Sequence, residues 1–149
     1  MPLNLRRPLH ILLVEQDQAI RDLFATLLQG HGYVVTAVDG VLGAIEHASR
    51  KPPDVVFSSL VFSNLDGFEL CRRLRALTAM AQALIVAVTG YAEAGIRERS
   101  RAAGFDAYLL KPVSVDTLLR LLASFKTRRV IANVGRLPGA FGGPRPVSG

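Results

Sequence analysis

Cysteine is almost missing from this chain. Cys71 stands alone, so no internal disulfide can form, and no metal-type spacing joins it to His10, His31 or His47. A reducing cytoplasm is the expected home. Long apolar runs are missing too, and none is long enough to span a bilayer. The opening MPLNLRRPLHILLV holds only a short apolar stretch that runs straight into acidic residues, without a small-residue cleavage pattern. No glycine-rich phosphate loop and no internal repeat is visible. Acidic side chains are absent from both ends: residues 1–8 carry Arg6 and Arg7, and residues 127–149 carry Arg128, Arg129, Arg136 and Arg145, with no Asp or Glu in either segment. Those six arginines equal the whole net charge of +6, which leaves the body formally neutral. A folded nucleic-acid surface is therefore not expected.

What is present suits a single α/β domain. The 149 residues are half hydrophobic, enough to fill a sizeable core. We expect a basic N-terminal extension over 1–8, one domain over 9–126, and a flexible Gly/Pro-rich basic tail over 127–149. Within the body, short β-branched runs alternate with amphipathic stretches. The pattern predicts strands at His10–Val14, Tyr33–Ala37, Val55–Ser58, Leu84–Val88 and Ala107–Leu110. It predicts helices after Asp17 (with Ile20, Phe24, Leu27 and Leu28 on one face), over Val41–Arg50, through Phe68, Cys71 and Leu74, over about Glu93–Ala103, and after Ser114. In the fourth helix Glu93 lies four residues before Arg97; in the fifth, Val115, Leu118, Leu119 and Leu122 point inward and Leu121 falls off the stripe toward solvent. Five strand–helix pairs in alternation imply a parallel sheet with helices on both faces.

In such a sheet, ligands gather beyond the carboxyl ends of the strands. That rule selects Glu15, Gln16 and Asp17 after strand one, Ser59 after strand three, Thr89 and Gly90 after strand four, and Lys111 followed by Pro112 after strand five.

The segments ILLVEQDQAIRDLF, PDVVFSSLVFSNLDGFEL, IVAVTGY and AYLLKPVSVDTLL, in this order and spacing, resemble the receiver domain of bacterial response regulators over about residues 9–126. The resemblance implies a flavodoxin-like, doubly wound five-stranded parallel sheet of order 2-1-3-4-5. It also implies a part in two-component phosphorelay signalling. There, a strand-three carboxylate takes a phosphoryl group from a histidine kinase, two acids after strand one hold Mg²⁺, a Thr and a Lys contact the phosphoryl, and an aromatic on strand five reports the change. Carried over by position, Glu15 matches the first acid, Thr89 and Lys111 the hydroxyl and amine, and Tyr108 the switch aromatic. Gln16 stands at the second acid and Ser59 at the acceptor aspartate.

Both departures bear on chemistry. A serine hydroxyl is a weak nucleophile unless a base activates it, and its phosphate ester is long-lived; no histidine lies in these segments to act as base. Mg²⁺ wants hard oxygen ligands in octahedral geometry. Each missing opposite charge at about 4 Å removes roughly 4 kcal/mol at an effective dielectric of about 20, before desolvation. Glu15 is left as a weak metal ligand, paired with Lys111, and Asp17 is better used as a helix cap. The expectation is an atypical receiver without enzymatic activity or a resident cofactor, a phosphorylation-independent interaction module. Its partner, a histidine kinase or a second copy, would dock on the helix 4–strand 5–helix 5 face. The alternative is a working phosphoacceptor that uses a substitute residue or a shifted pocket. Two variants separate them: Ser59→Ala, and Ser59→Asp with Gln16→Asp.

Overall fold

The computed structural model describes residues 7–62, 66–90 and 92–131. Most of the N-terminal extension, and the part of the expected flexible tail beyond residue 131, lie outside the described residues. The elements are β1 (His10–Val14), α1 (Gln18–Gly30), β2 (Val34–Val38), α2 (Val41–Arg50), β3 (Val55–Ser58), α3 (Gly67–Ala76), a short 3₁₀ turn, β4 (Leu84–Thr89), α4 (Ile96–Ala103), β5 (Ala107–Leu110) and α5 (Val115–Ile131). All strands pair in parallel in the order β2-β1-β3-β4-β5.

Alternate strand residues point to opposite faces, and this splits the core in two. Ile11 and Leu13 of β1 join Val55, Phe57, Leu84 and Val86 under α1 and α5. Leu12 and Val14 join Val56, Ile85 and Ala87 under α2, α3 and α4, with Cys71 fully buried among them. Strands β1 and β3, with almost all of β4, are buried, as their unbroken apolar runs require. Helix starts are fixed by short acidic caps: Asp17 Oδ1 accepts from Ile20 N at 3.1 Å and Asp66 Oδ1 from Glu69 N at 2.7 Å.

Four expectations need correction. β2 is shifted one residue toward the C-terminus, and Leu27 is 37% exposed because Leu28 alone of that pair faces the sheet. α4 begins at Ile96, not near Glu93, because Gly95 has φ +88° and breaks the helical path; Glu93 and Arg97 are thus not a helical i,i+4 pair. Leu121, expected at the surface, is completely buried. It packs with Leu118, Leu122 and Phe125 against the sheet, so the inward stripe of α5 is rotated from the expected one.

The amino end of the sheet is closed by charge pairs. Arg75, in the last turn of α3, donates to Asp106 Oδ2 (2.6 Å) and to the carbonyls of Gly104 (3.0 Å), Met80 (3.0 Å) and Ala83 (2.8 Å). Asp106 Oδ2 also accepts from Ile85 N at 2.9 Å. On the other flank, Asp54 accepts from Arg7 and from His10 N, while His10 Nε2 lies 3.0 Å from Thr36 Oγ1 and 3.3 Å from His47 Nε2. Burial pushes both imidazoles below their ordinary pKa; the His47 ring and Lys51 add to this at His10, and Arg50 and Lys51 at His47.

Candidate functional site

The carboxyl end of the sheet brings together three of the residues selected from sequence. β1 and β3 are neighbours, with Val14 opposite Ser58, so the residues that leave them, Glu15 and Ser59, emerge side by side. Ser59 N continues the ladder by donating to Val14 O at 3.2 Å, and Glu15 N donates to Val38 O at 3.0 Å. Both side chains are buried at the strand ends. Ser59 Oγ donates to Glu15 Oε2 at 3.1 Å, and Lys111 Nζ donates to Glu15 Oε1 at 3.0 Å. Asp17 N approaches Oε2 at 3.4 Å. One carboxylate thus serves a hydroxyl, an ammonium and a backbone amide.

The neighbouring hydroxyl, that of Ser58, plays a different part. Ser58 Oγ, fully buried, donates to the carbonyl of Ser59 at 2.8 Å and fixes the peptide that carries Ser59. Gly67 presses on the same peptide from α3: its N–H donates to Leu60 O at 2.8 Å, and a Cβ there would lie 2.5 Å from Ser59 O and 2.7 Å from Leu60 Cα.

Thr89 ends β4, buried, and its carbonyl accepts from Lys111 N at 2.7 Å, which seats the lysine beside it. Gln16 is exposed on the β1–α1 loop. Asp17 is engaged as the α1 cap. Tyr108 is half-buried in the α2/α3/α4 layer, with the Arg97 guanidinium 6.0 Å from its ring centroid. That is the outer limit of a cation–π contact.

The sequence reading missed Arg21. Its Nη1 donates to the carbonyls of Glu15 (2.9 Å) and Gln16 (3.2 Å), so a second cation braces the acidic turn. The available signal was position: Arg21 lies one helical turn past the Asp17 cap, on the side of α1 that faces the loop.

Residues 11–123 match the response regulator receiver domain. The chain belongs to that family. Among curated relatives, a 14.6 kDa protein from the sodA1 3′ region of Leptolyngbya boryana is 33% identical over 77% of this chain and 88% of its own length. The polar-differentiation response regulator DivK of Brucella anthropi is 27% identical over 79% of this chain and 96% of its own. Among solved structures, the receiver domain of the sensor histidine kinase PA1611 from Pseudomonas aeruginosa superposes with a TM-score of 0.74 at 30% identity, covering 81% of this chain and 99% of its own, and holds a magnesium ion in its active-site cleft. The receiver fold and its place in two-component signalling are thus established for this chain. No helix among the described residues is long and apolar enough to cross a membrane.

Proposed function

We propose that this receiver domain works as a protein-interaction module whose state does not depend on phosphorylation. One observation carries the reading: Ser59, at the position matched to the acceptor aspartate, donates its hydroxyl hydrogen to Glu15 while Lys111 holds the other oxygen of the same carboxylate. A phosphoryl acceptor in this family presents a free anionic oxygen. A neutral hydroxyl bonded into a network has neither the charge nor the freedom, and its ester would not turn over as an acyl phosphate does.

The donor set also fits Mg²⁺ poorly. Among the described residues no group of three His, Cys, Asp or Glu side chains converges. Glu15 is the single carboxylate among the described residues that line the cleft, Lys111 bonds to it, and Arg21 braces the carbonyls of residues 15 and 16. A hard divalent cation with a preference for several oxygen ligands would have to displace an ammonium and sit near a guanidinium. On this reading the module has no cofactor and no catalytic residue. Its input is partner binding through differential affinity for two conformations. The docking face we assign is α4–β5–α5, where Leu110 is 46% exposed beside the charged surface of α4. The partner is a histidine kinase or a second copy of the chain, in the cytoplasm.

A second reading has its own support. Ser59 Oγ bonded to Glu15 Oε2 is the arrangement of a nucleophile and its base, which would suit a substitute phosphoacceptor. Lys111 argues against it by neutralising the charge that would draw the proton. The two part under acetyl phosphate or beryllium fluoride with Mg²⁺. The proposal expects no mass gain and no amide shifts at Thr89 and Lys111. A stoichiometric gain that disappears in Ser59→Ala would establish the second reading instead. Ser59→Asp with Gln16→Asp should restore Mg²⁺ binding.

A further inference from the structure

Beneath the Glu15–Lys111 pair, on the α1/α5 side of the sheet, lies a half-open cavity of about 440 Å³. Leu13, Phe57 and Val88 form its floor, Phe24 of α1 one wall, and Val113 with Leu118 of α5 the other. The volume falls in the range of roughly 300–1,000 Å³ typical of small-molecule sites, which are likewise apolar with a few convergent polar groups. Here the polar groups meet at one end: Glu15, Ser58, Ser59 and Lys111. We propose that this cavity is a binding site for a small, predominantly apolar molecule with an uncharged, oxygen-bearing head that accepts a hydrogen bond from Lys111. The inference goes beyond the proposed function and stands on the cavity alone, whether or not Ser59 can be phosphorylated.

The chemistry of the polar end selects the head group. Ser58 Oγ is committed to the Ser59 carbonyl and Ser59 Oγ to Glu15. An ammonium carries three N–H donors, and Lys111, whose side chain remains 35% exposed, donates one of them to Glu15. A carbonyl or hydroxyl oxygen can accept another without disturbing the pair. A cationic head would meet Lys111 and an anionic head would meet Glu15, each at the mouth of an apolar chamber where an unpaired charge is costly. The apolar walls fit the body of the ligand, because an apolar cavity gives water no partners and binds hydrocarbon surface in its place. A small molecule is favoured over a peptide because the polar end offers one donor group, the Lys111 ammonium, not a ladder of backbone donors and acceptors.

The test uses the full chain and Prodan, a neutral naphthalene ketone whose emission reports polarity and hydrogen bonding to its carbonyl. Saturable one-to-one binding with blue-shifted emission is expected, with amide shifts centred on Phe24, Val88 and Val113. Ile20→Trp and Val113→Trp fill the cavity from opposite walls, and each should weaken binding by about tenfold or more. If one filler fails to fold, the other decides. Lys111→Met should shift the bound emission further to the blue, since the carbonyl loses its donor. Absence of saturable binding, or binding unchanged in a folded filler variant, would overturn the site. Equal affinity for the sulfonated dye 1-anilinonaphthalene-8-sulfonate, or unchanged emission in Lys111→Met, would overturn the uncharged head and its lysine contact. Concentration-dependent shifts at Phe24 and Val113 without dye would assign the cavity to a second copy and overturn the small-molecule site.

Discussion

Two ion pairs stand at opposite ends of one sheet, each made of one carboxylate and one cation from distant elements, and their surroundings differ. At the amino end, Arg75 spends its donors on Asp106 and three carbonyls, and both side chains are nearly buried, 14% and 13% exposed. The planar guanidinium suits that task because its fixed fork reaches several acceptors at once. At the carboxyl end, Lys111 is a point charge at the tip of a flexible stem, 35% exposed, tied to Glu15 beside an open cavity. The first pair is a closed knot that joins α3, β4 and β5. The second is a pair that a ligand or partner can address.

That contrast can be broken by measurement. The largest effect should come from Arg75→Met, which takes the guanidinium away from Asp106 and three carbonyls and leaves the buried carboxylate without its cation; a loss of about 3 kcal/mol in urea unfolding is expected, as for other broken buried pairs. Glu15→Gln should cost less, about 1 kcal/mol, because water reaches the freed Lys111. Equal losses in the two variants would erase the distinction between knot and addressable pair. Ser59→Ala removes one hydrogen bond and leaves Glu15 with Lys111 and the Asp17 amide, so a loss below about 1 kcal/mol is expected from the same unfolding curves.

The smallest effect concerns acidity at the amino end. His10 and His47 have pKa values lowered from 6.5, chiefly by burial. Above that value both rings are neutral whether folded or unfolded. Below it the unfolded chain takes up protons that the folded chain refuses, so stability is complete above pH 6.5 and falls as pH drops through the folded-state values. The groups facing these rings are Arg7, Arg50, Lys51 and Asp54, and only the last opposes the shift at His10. Unfolding midpoints at about pH 7.5 and about pH 5.5 should diverge in the wild type and diverge less in His47→Gln.

The sequence made the sheet legible because buried parallel strands must be apolar throughout, and β1, β3 and β4 are. It made α2 legible to the residue, since Pro52 and Pro53 end it. It mislaid the start of α4, where Gly95 in the left-handed region outweighs a good charge spacing. It misplaced Leu121 because the apolar stripe of α5 was phased from Val115; phased from Leu118 and Phe125, positions 118, 121, 122 and 125 form one face. At the site, the juxtaposition of Glu15, Ser59 and Lys111 followed from strand ends alone, since topology puts those positions at one edge. The Arg75–Asp106 knot and the His10–His47 contact did not, because pairs that lie 31 and 37 residues apart leave no local periodicity to read.

Gly67 has a consequence for anyone who redesigns this cleft. With no room for even a methyl group against Ser59 O and Leu60 Cα, the first residue of α3 acts as a spacer gauge that sets how far the β3 exit can stand from the helix. Libraries that randomise the intervening loop can leave residue 59 in register only while position 67 is kept out of the draw. A methyl-bearing replacement there would reposition the hydroxyl and the α3 origin together, coupling two properties an engineer would wish to vary separately.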